Sequence, residues 1–251
     1  MTKQTYKYED DDDAQARERG MCGYCRMEML CGADGDCRAG GRPLRQRRLQ
    51  RGQLLYRAGD RLRNIYFVKF GTLKMRAVLA QGDEQIIAFP MENEPLGLDG
   101  VALNQHTCDA VAIEDSLVCN IPVRRIQVSC MRSPLHQQFV NTLLGHEINR
   151  EQHLLLMLGK MNSQARLAAF LLDISRRRAA NGRRGDIFDL NMTRQDIGNH
   201  LGMTLETVSR LLSRLKSTRV LAIDQRQVCI LDQPRLRELA EGRHAQEAEP
   251  A

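Results

Sequence analysis

The sequence predicts an α+β chain: an antiparallel β-roll, then one long helix of the kind that pairs two subunits, then a C-terminal helix-turn-helix. Three observations carry that expectation. Short apolar strands punctuated by Gly fill residues 49 to about 125, a coiled-coil spacing runs between positions 144 and 158, and two capped helices meet at Gly202.

Composition bounds the function classes first. A chain of 251 residues that is 42% hydrophobic can bury a core without disulfides. No apolar run approaches the roughly 20 residues that cross a bilayer, and residues 1–8 are polar with no secretory segment, so a cytoplasmic protein with no membrane partner is expected. No P-loop, paired-carboxylate, nucleophile-elbow or metal-hydrolase signature is present, which argues against an enzyme. The net charge of +6 is uneven: residues 1–13 hold two lysines against five acids, and the remainder is correspondingly more basic. Residues 1–20 therefore read as an acidic disordered tail, residues 242–251 as a second one, and the basic remainder favours an anionic partner.

The roll is expected over residues 49–130. Strands are predicted at 54–56, 65–68, 73–78, 85–89 and 117–121, with turns at Gly52, Gly59-Asp60, Gly71 and Gly82-Asp83. Such lengths and spacings, with Gly where positive φ is needed, fit a small antiparallel barrel or roll better than a parallel sheet.

Residues 131–160 are assigned to the long helix, with Ser133 as N-cap and Pro134 at its first position. Leu144, Ile148, Glu151, Leu155 and Leu158 recur at spacings of 4, 3, 4 and 3. That pattern suits either a coiled-coil seam or a face packed on the chain's own roll. Glu151 tips the reading toward a homodimer seam, because a carboxylate is out of place in a core but can tune association.

Residues 161–241 form the last domain. A helix is predicted over 164–178, with Leu167, Phe170, Leu171 and Ile174 on one face, and residues 182–185 break it. Thr193 and Asp196 make a capping-box start, Ile197 and Leu201 face inward, Gly202 permits the turn, and Thr204 caps the next helix. There Val208, Leu211, Leu212 and Leu215 must face the core, which leaves Glu206, Ser209, Arg210 and Ser213 outward. A guanidinium can bind guanine in bidentate fashion, a carboxylate can accept from cytosine and a small hydroxyl can approach thymine, so this face suits the major groove of double-stranded DNA. Thr193, Arg194 and Lys216 are expected on phosphates, which position the protein without reading sequence.

Residues 21–48 are cysteine-rich. Cys22, Cys25 and Cys31 give C-x2-C-x5-C, and Cys37 follows. An iron-sulfur cluster, a zinc-thiolate site that makes the segment a structural or interaction module, and free thiols all remain open on this spacing.

The order of cysteine cluster, roll, dimer-type helix and helix-turn-helix resembles the FNR branch of the CRP/FNR family of transcription regulators. The resemblance is carried by Leu49-Gln-Arg-Gly-Gln-Leu-Leu-Tyr-Arg-Ala-Gly-Asp60, Gly82-Asp-Glu-Gln-Ile86, Ser116-Leu-Val-Cys-Asn-Ile-Pro122, Arg166-Leu-Ala-Ala-Phe170, Met192-Thr-Arg-Gln-Asp-Ile-Gly-Asn199 and Glu206-Thr-Val-Ser-Arg-Leu-Leu212. It implies a cupin-like roll, a winged helix-turn-helix and an oxygen-responsive regulator holding a 4Fe-4S cluster on Cys22, Cys25, Cys31 and Cys119. It further implies base reading by Glu206, Ser209 and Arg210 at a TTGAT-N4-ATCAA-like palindrome, and RNA polymerase contacts from loops such as residues 80–84.

Two departures stand out. The family usually has a Leu-rich helix where residues 32–48 are rich in Gly and Arg, so Cys37 is a rival to Cys119 as fourth ligand, and Arg26 adds charge beside Cys25. Residues 95–100 and 105–107 lack the Gly-Glu and Arg-Ser or Arg-Thr pairs that hold a cyclic nucleotide in the family, so no cyclic nucleotide is expected. Haem sensing would draw on His106, which reads as a surface residue.

Overall fold

A computed structural model describes residues 45–78 and 81–242; the acidic tail, Cys22, Cys25, Arg26, Cys31, Cys37 and residues 243–251 lie outside the described residues. The roll consists of β1 (Arg45–Leu49), β2 (Leu54–Tyr56), β3 (Asn64–Phe70), β4 (Leu73–Val78), β5 (Glu84–Ala88), β6 (Pro95–Leu96), β7 (Asp109–Ala112) and β8 (Ser116–Pro122). They form two four-stranded antiparallel sheets, ordered β1-β8-β3-β6 and β2-β7-β4-β5. Leu49, Tyr66, Val68, Leu73, Leu96 and Val118 share the roll's core. Gly71 turns β3 into β4 with φ of 88°, and a Cβ there would meet the Asp115 carbonyl oxygen at 2.8 Å.

Helix α1 (Val123–Arg132) follows β8 directly and was not expected from the sequence. Ser133 then adopts an extended backbone, as the residue before a proline must, and α2 (Pro134–Lys160) begins. Ser133 makes no side-chain cap; its carbonyl accepts from the backbone N–H groups of His136 and Gln137 instead.

The C-terminal elements are α3 (Ser163–Ala180), β9 (Ile187–Asp189), α4 (Arg194–Leu201), α5 (Leu205–Ser217), β10 (Leu221–Asp224), β11 (Gln227–Ile230) and α6 (Gln233–Ala240). Strands β10-β11-β9 make the three-stranded wing. Leu167, Phe170 and Ile174 of α3 pack with Ile197, Val208, Leu212 and Val228, and the same cluster takes in Ile86 and Phe89 of the roll. The roll and the helix-turn-helix therefore share apolar contacts rather than meeting only through a linker. Among the described residues no helix is long and apolar enough to cross a membrane.

Candidate nucleic-acid interface

Helices α4 and α5 are built by local chemistry that the sequence spells out. Thr193 Oγ1 accepts from the Asp196 backbone N–H at 3.0 Å, while the Thr193 N–H donates to Asp196 Oδ2 at 3.2 Å, closing a capping box. Gly202 ends α4 in the left-handed region with φ of 61°, and Thr204 Oγ1 accepts from the Thr207 N–H at 3.2 Å to start α5. Val208, Leu211, Leu212 and Leu215 are buried, so rotation of α5 about its axis is fixed.

The opposite face is left to solvent. Glu206, Arg210 and Ser213 are exposed, and the Arg210 side chain makes no hydrogen bond or ion pair among the described residues. Ser209 is half-buried, its Oγ accepting from Arg194 Nη1 at 3.2 Å. The Glu206 carboxyl is held below the usual carboxylate range by its own backbone N–H at the helix start and by Thr204, which keeps it an acceptor at neutral pH. Lys216 Nζ donates to the Ile223 carbonyl at 2.9 Å and so ties α5 to the wing. Leu205, overlooked in the sequence because its spacing to Val208 suits the core, is 43% exposed beside Glu206.

Two polar junctions fix this unit against the roll. In the first, Lys74 Nζ lies 2.7 Å from Asp196 Oδ1, Asn199 Nδ2 donates to the Glu84 carbonyl at 2.7 Å, and Gln85 Nε2 donates to the Asn199 carbonyl at 2.8 Å. Burial works against a charged Asp196, but the bonds from Lys74 and Thr193 outweigh it and hold the carboxyl below its ordinary range. Glu84, in the loop implied as a polymerase contact, also pairs with Arg76 at 2.7 Å; residue 80 lies outside the described residues. The second junction centres on Glu94, which accepts from Arg177 Nη1 at 3.0 Å and from Arg150 Nη2 at 3.2 Å. Arg177 Nε pairs with Asp173 Oδ2 at 2.8 Å, so the roll, α2 and α3 meet in one ion network.

The seam residues divide into two sets. Ile148, Glu151 and Leu155 are exposed, Ile148 at 53% and Leu155 at 70%, while Leu144 is half-buried. Leu158 is half-buried beside the turn of its own helix-turn-helix, with Cδ2 at 3.2 Å from where a Cβ on Gly202 would sit. The neighbouring Met157 is buried in the same cluster as α3 to α5.

Of the cysteines implied to hold a cluster, Cys119 is described. It is 3% exposed on β8, between Gln46 of β1 and Phe67 of β3. Among the described residues no three His, Cys, Asp or Glu side chains gather as a metal site. His106, expected at the surface, is instead buried at 3% exposure, stacked on Tyr56 at 3.7 Å with Nδ1 3.4 Å from Asp99 Oδ1. The polar letters around it hid an internal cluster that assembles only when β2 meets the segment after β6.

Residues 165–239 match the Crp-like helix-turn-helix domain, and residues 46–133 match the Cyclic nucleotide-binding domain. The second match overturns the expectation that cyclic nucleotides are excluded: that expectation rested on a few missing residue pairs, whereas the domain as a whole is of the nucleotide-binding kind. The chain is 40% identical over 196 residues to the Fumarate and nitrate reduction regulatory protein of Vibrio cholerae serotype O1, covering 78% of each chain. It is 45% identical over 193 residues to the Transcriptional regulatory protein btr of Bordetella pertussis, covering 76% of this chain and 79% of that one. The solved structure of FixK2 from Bradyrhizobium japonicum superposes with a TM-score of 0.73 at 26% identity, covering 83% of this chain and 99% of that one.

Proposed function

Because the chain belongs to the CRP/FNR family of transcription regulators, we propose that it is an oxygen-responsive member that binds a two-fold DNA site as a homodimer. It is a regulator of transcription and not an enzyme. The observation that carries the reading is the outward face of α5, where an unpartnered Arg210 and a charged Glu206 flank Ser209 on a helix whose other side is locked in the core.

In this reading Arg210 takes a guanine edge, Glu206 accepts from a cytosine amino group and Ser209 lies close to a thymine, while Ser213 borders the same groove. Thr193, Arg194 and Lys216 hold phosphates, and the target resembles TTGAT-N4-ATCAA. A good bidentate pair is worth about 1–3 kcal/mol of discrimination, so Arg210→Ala should cost the operator about tenfold or more in affinity while a non-operator duplex loses far less. Anisotropy titrations of both duplexes check this, and an unchanged ratio of the two affinities would exclude Arg210 from base reading.

A 4Fe-4S cluster is the proposed signal carrier, with Cys22, Cys25, Cys31 and Cys119 as its thiolates and an oxygen-labile cluster as the chemistry it supplies. The described donor fits: Cys119 sits on a strand paired on both sides, so its backbone is a rigid anchor for one thiolate. Binding at both ends would tie residues 22–31 to β8 and cost that segment its freedom, an ordering that favours the paired state. Support for the oxygen response comes from a relative in Pasteurella multocida, 39% identical over 196 residues, that is named Anaerobic regulatory protein, and from the C-x2-C-x5-C spacing.

Leu144, Ile148, Leu155 and Leu158 would meet their symmetry mates along α2, with Glu151 facing Glu151. Opposed carboxylates weaken such a dimer, which leaves it poised for a signal to tip. Glu151→Ala should therefore raise dimerisation in air by about tenfold, on the order of 1.4 kcal/mol. Sedimentation equilibrium reads this directly, and an aerobic Glu151→Ala protein that stays as monomeric as the wild type would sink the seam.

A further inference from the structure

Asn141 of α2 lies seven residues before Ile148, and we infer that it meets its own counterpart in a second copy of this chain, so that α2 accepts its own kind, parallel and in register, and rejects a helix with an apolar residue at that layer. The inference rests on the proposed homodimer and adds to it how the partner is chosen.

The rotation of α2 about its axis is fixed by its own chain. His136, Leu143, Arg150 and Met157 recur every seven residues along one stripe. His136 Nδ1 hydrogen-bonds Ser129 Oγ of α1, Arg150 Nη2 donates to Glu94 Oε1 of the roll at 3.2 Å, and Met157 is buried with α3 to α5. Asn141, Ile148 and Leu155 make another seven-residue stripe, and all three are exposed. Gln137, Leu144, Glu151 and Leu158 run beside them, so spacings of 4 and 3 alternate without a break from Gln137 to Leu158. The seam therefore extends two turns farther toward the start of α2 than its leucines suggest, and Asn141 falls in line with Ile148 and Leu155.

The polar layers of this seam differ in chemistry. Opposed Glu151 carboxylates repel, whereas an asparagine amide carries both donors and an acceptor, so two of them across a two-fold axis satisfy each other. The Asn141 side chain makes no hydrogen bond among the described residues, which leaves it for such a partner. A slip of seven residues sets it against Ile148, and a partner helix with an aliphatic residue at its layer likewise leaves the amide buried and unpaired. A single polar residue at such a position costs stability and fixes register and partner in return.

The test uses the full chain, co-expressed in equal amounts as two tagged forms of different mass and purified without oxygen, with native mass spectrometry counting the two homodimers and the mixed dimer. Two tagged wild types should pair at random, so that about half the dimers are mixed. With Asn141→Leu as one of the two forms, the unpaired amide should cost the mixed dimer about tenfold, and its share should fall to about a tenth while both homodimers form. Asn141→Ile should give the same result. Asn149→Leu, exposed on α2 but outside the seam's spacing, should pair with wild type at random. A mixed share that stays at about half for both Asn141 variants would overturn the inference and leave the homodimer standing, because in a slipped or antiparallel pair Asn141 does not meet itself. A wild type that is monomeric under these conditions overturns both.

Discussion

Cys119→Ser should abolish the difference between anaerobic and aerated protein. The substitution changes one atom at a site that is 3% exposed on a strand paired on both sides, so the roll should keep its fold while losing a thiolate donor. In the proposed reading that thiolate would be a cluster ligand and would anchor the cysteine segment to β8. Without it, anaerobic operator affinity should fall at least tenfold, to the value of the aerated wild type, and the iron and sulfide content of anaerobic protein should drop with it. Circular dichroism separates this from unfolding. If Cys37→Ser produces the loss and Cys119→Ser does not, the fourth ligand is Cys37 and the anchoring role of β8 is withdrawn.

Arg177→Ala should destabilise the chain by up to about 3–5 kcal/mol, because it removes the more buried of the two cations on Glu94, leaving Arg150, and one of the two on Asp173, leaving Arg176. Glu94 is 8% exposed, and Arg177 pairs with both acids. Burial opposes the charge on Arg177, but Glu94 and Asp173 outweigh it and hold the guanidinium above its ordinary range. Against a typical total of about 5–15 kcal/mol, such a loss is large and should appear as a lowered urea midpoint. Replacing the pair together, as Glu94→Leu with Arg177→Met, should recover much of it, since no charge is then left buried alone. Asp173 adds a pH signature: burial raises its carboxyl, yet Arg177 and Arg176 outweigh this and lower it. A depressed carboxyl contributes stability above its unfolded pKa and loses it as pH falls through the folded value, so Arg177→Ala should flatten the acid side of the stability profile. A variant with an unchanged midpoint would show that the network carries no net stability.

The helix-turn-helix was legible because every signal in it is local. Caps, turn glycine and apolar period lie within 24 residues and agree, and the structure forms both caps and the left-handed Gly202 as read. The roll was legible mainly through its glycines. What escaped is equally explicable: β1 is Arg-Gln-Arg-Arg-Leu, a charged strand that among the described residues pairs only with β8, and β6 is two residues long, so neither shows an apolar alternation. Helix α1 continues straight from β8 without a turn residue to announce it. The Glu94 junction could not be read at all, because Arg177 lies 83 positions away and ion pairs across that separation leave no local pattern. Leu158 continues the seam's spacing in sequence and also lies, half-buried, beside Gly202 of its own helix-turn-helix, a neighbour that the spacing could not announce. His106 shows the same limit in the roll, since only folding brings Tyr56 over its ring.

Operator binding by wild-type protein purified without oxygen, followed with iron, sulfide and visible absorbance before and after air is admitted, separates an oxygen-responsive regulator from a zinc-stabilised one. An oxygen-labile cluster predicts a brown protein with iron and sulfide that binds the palindrome as a dimer, then bleaches and loses that binding in air. A colourless protein carrying zinc, with operator affinity unchanged by air, would contradict it.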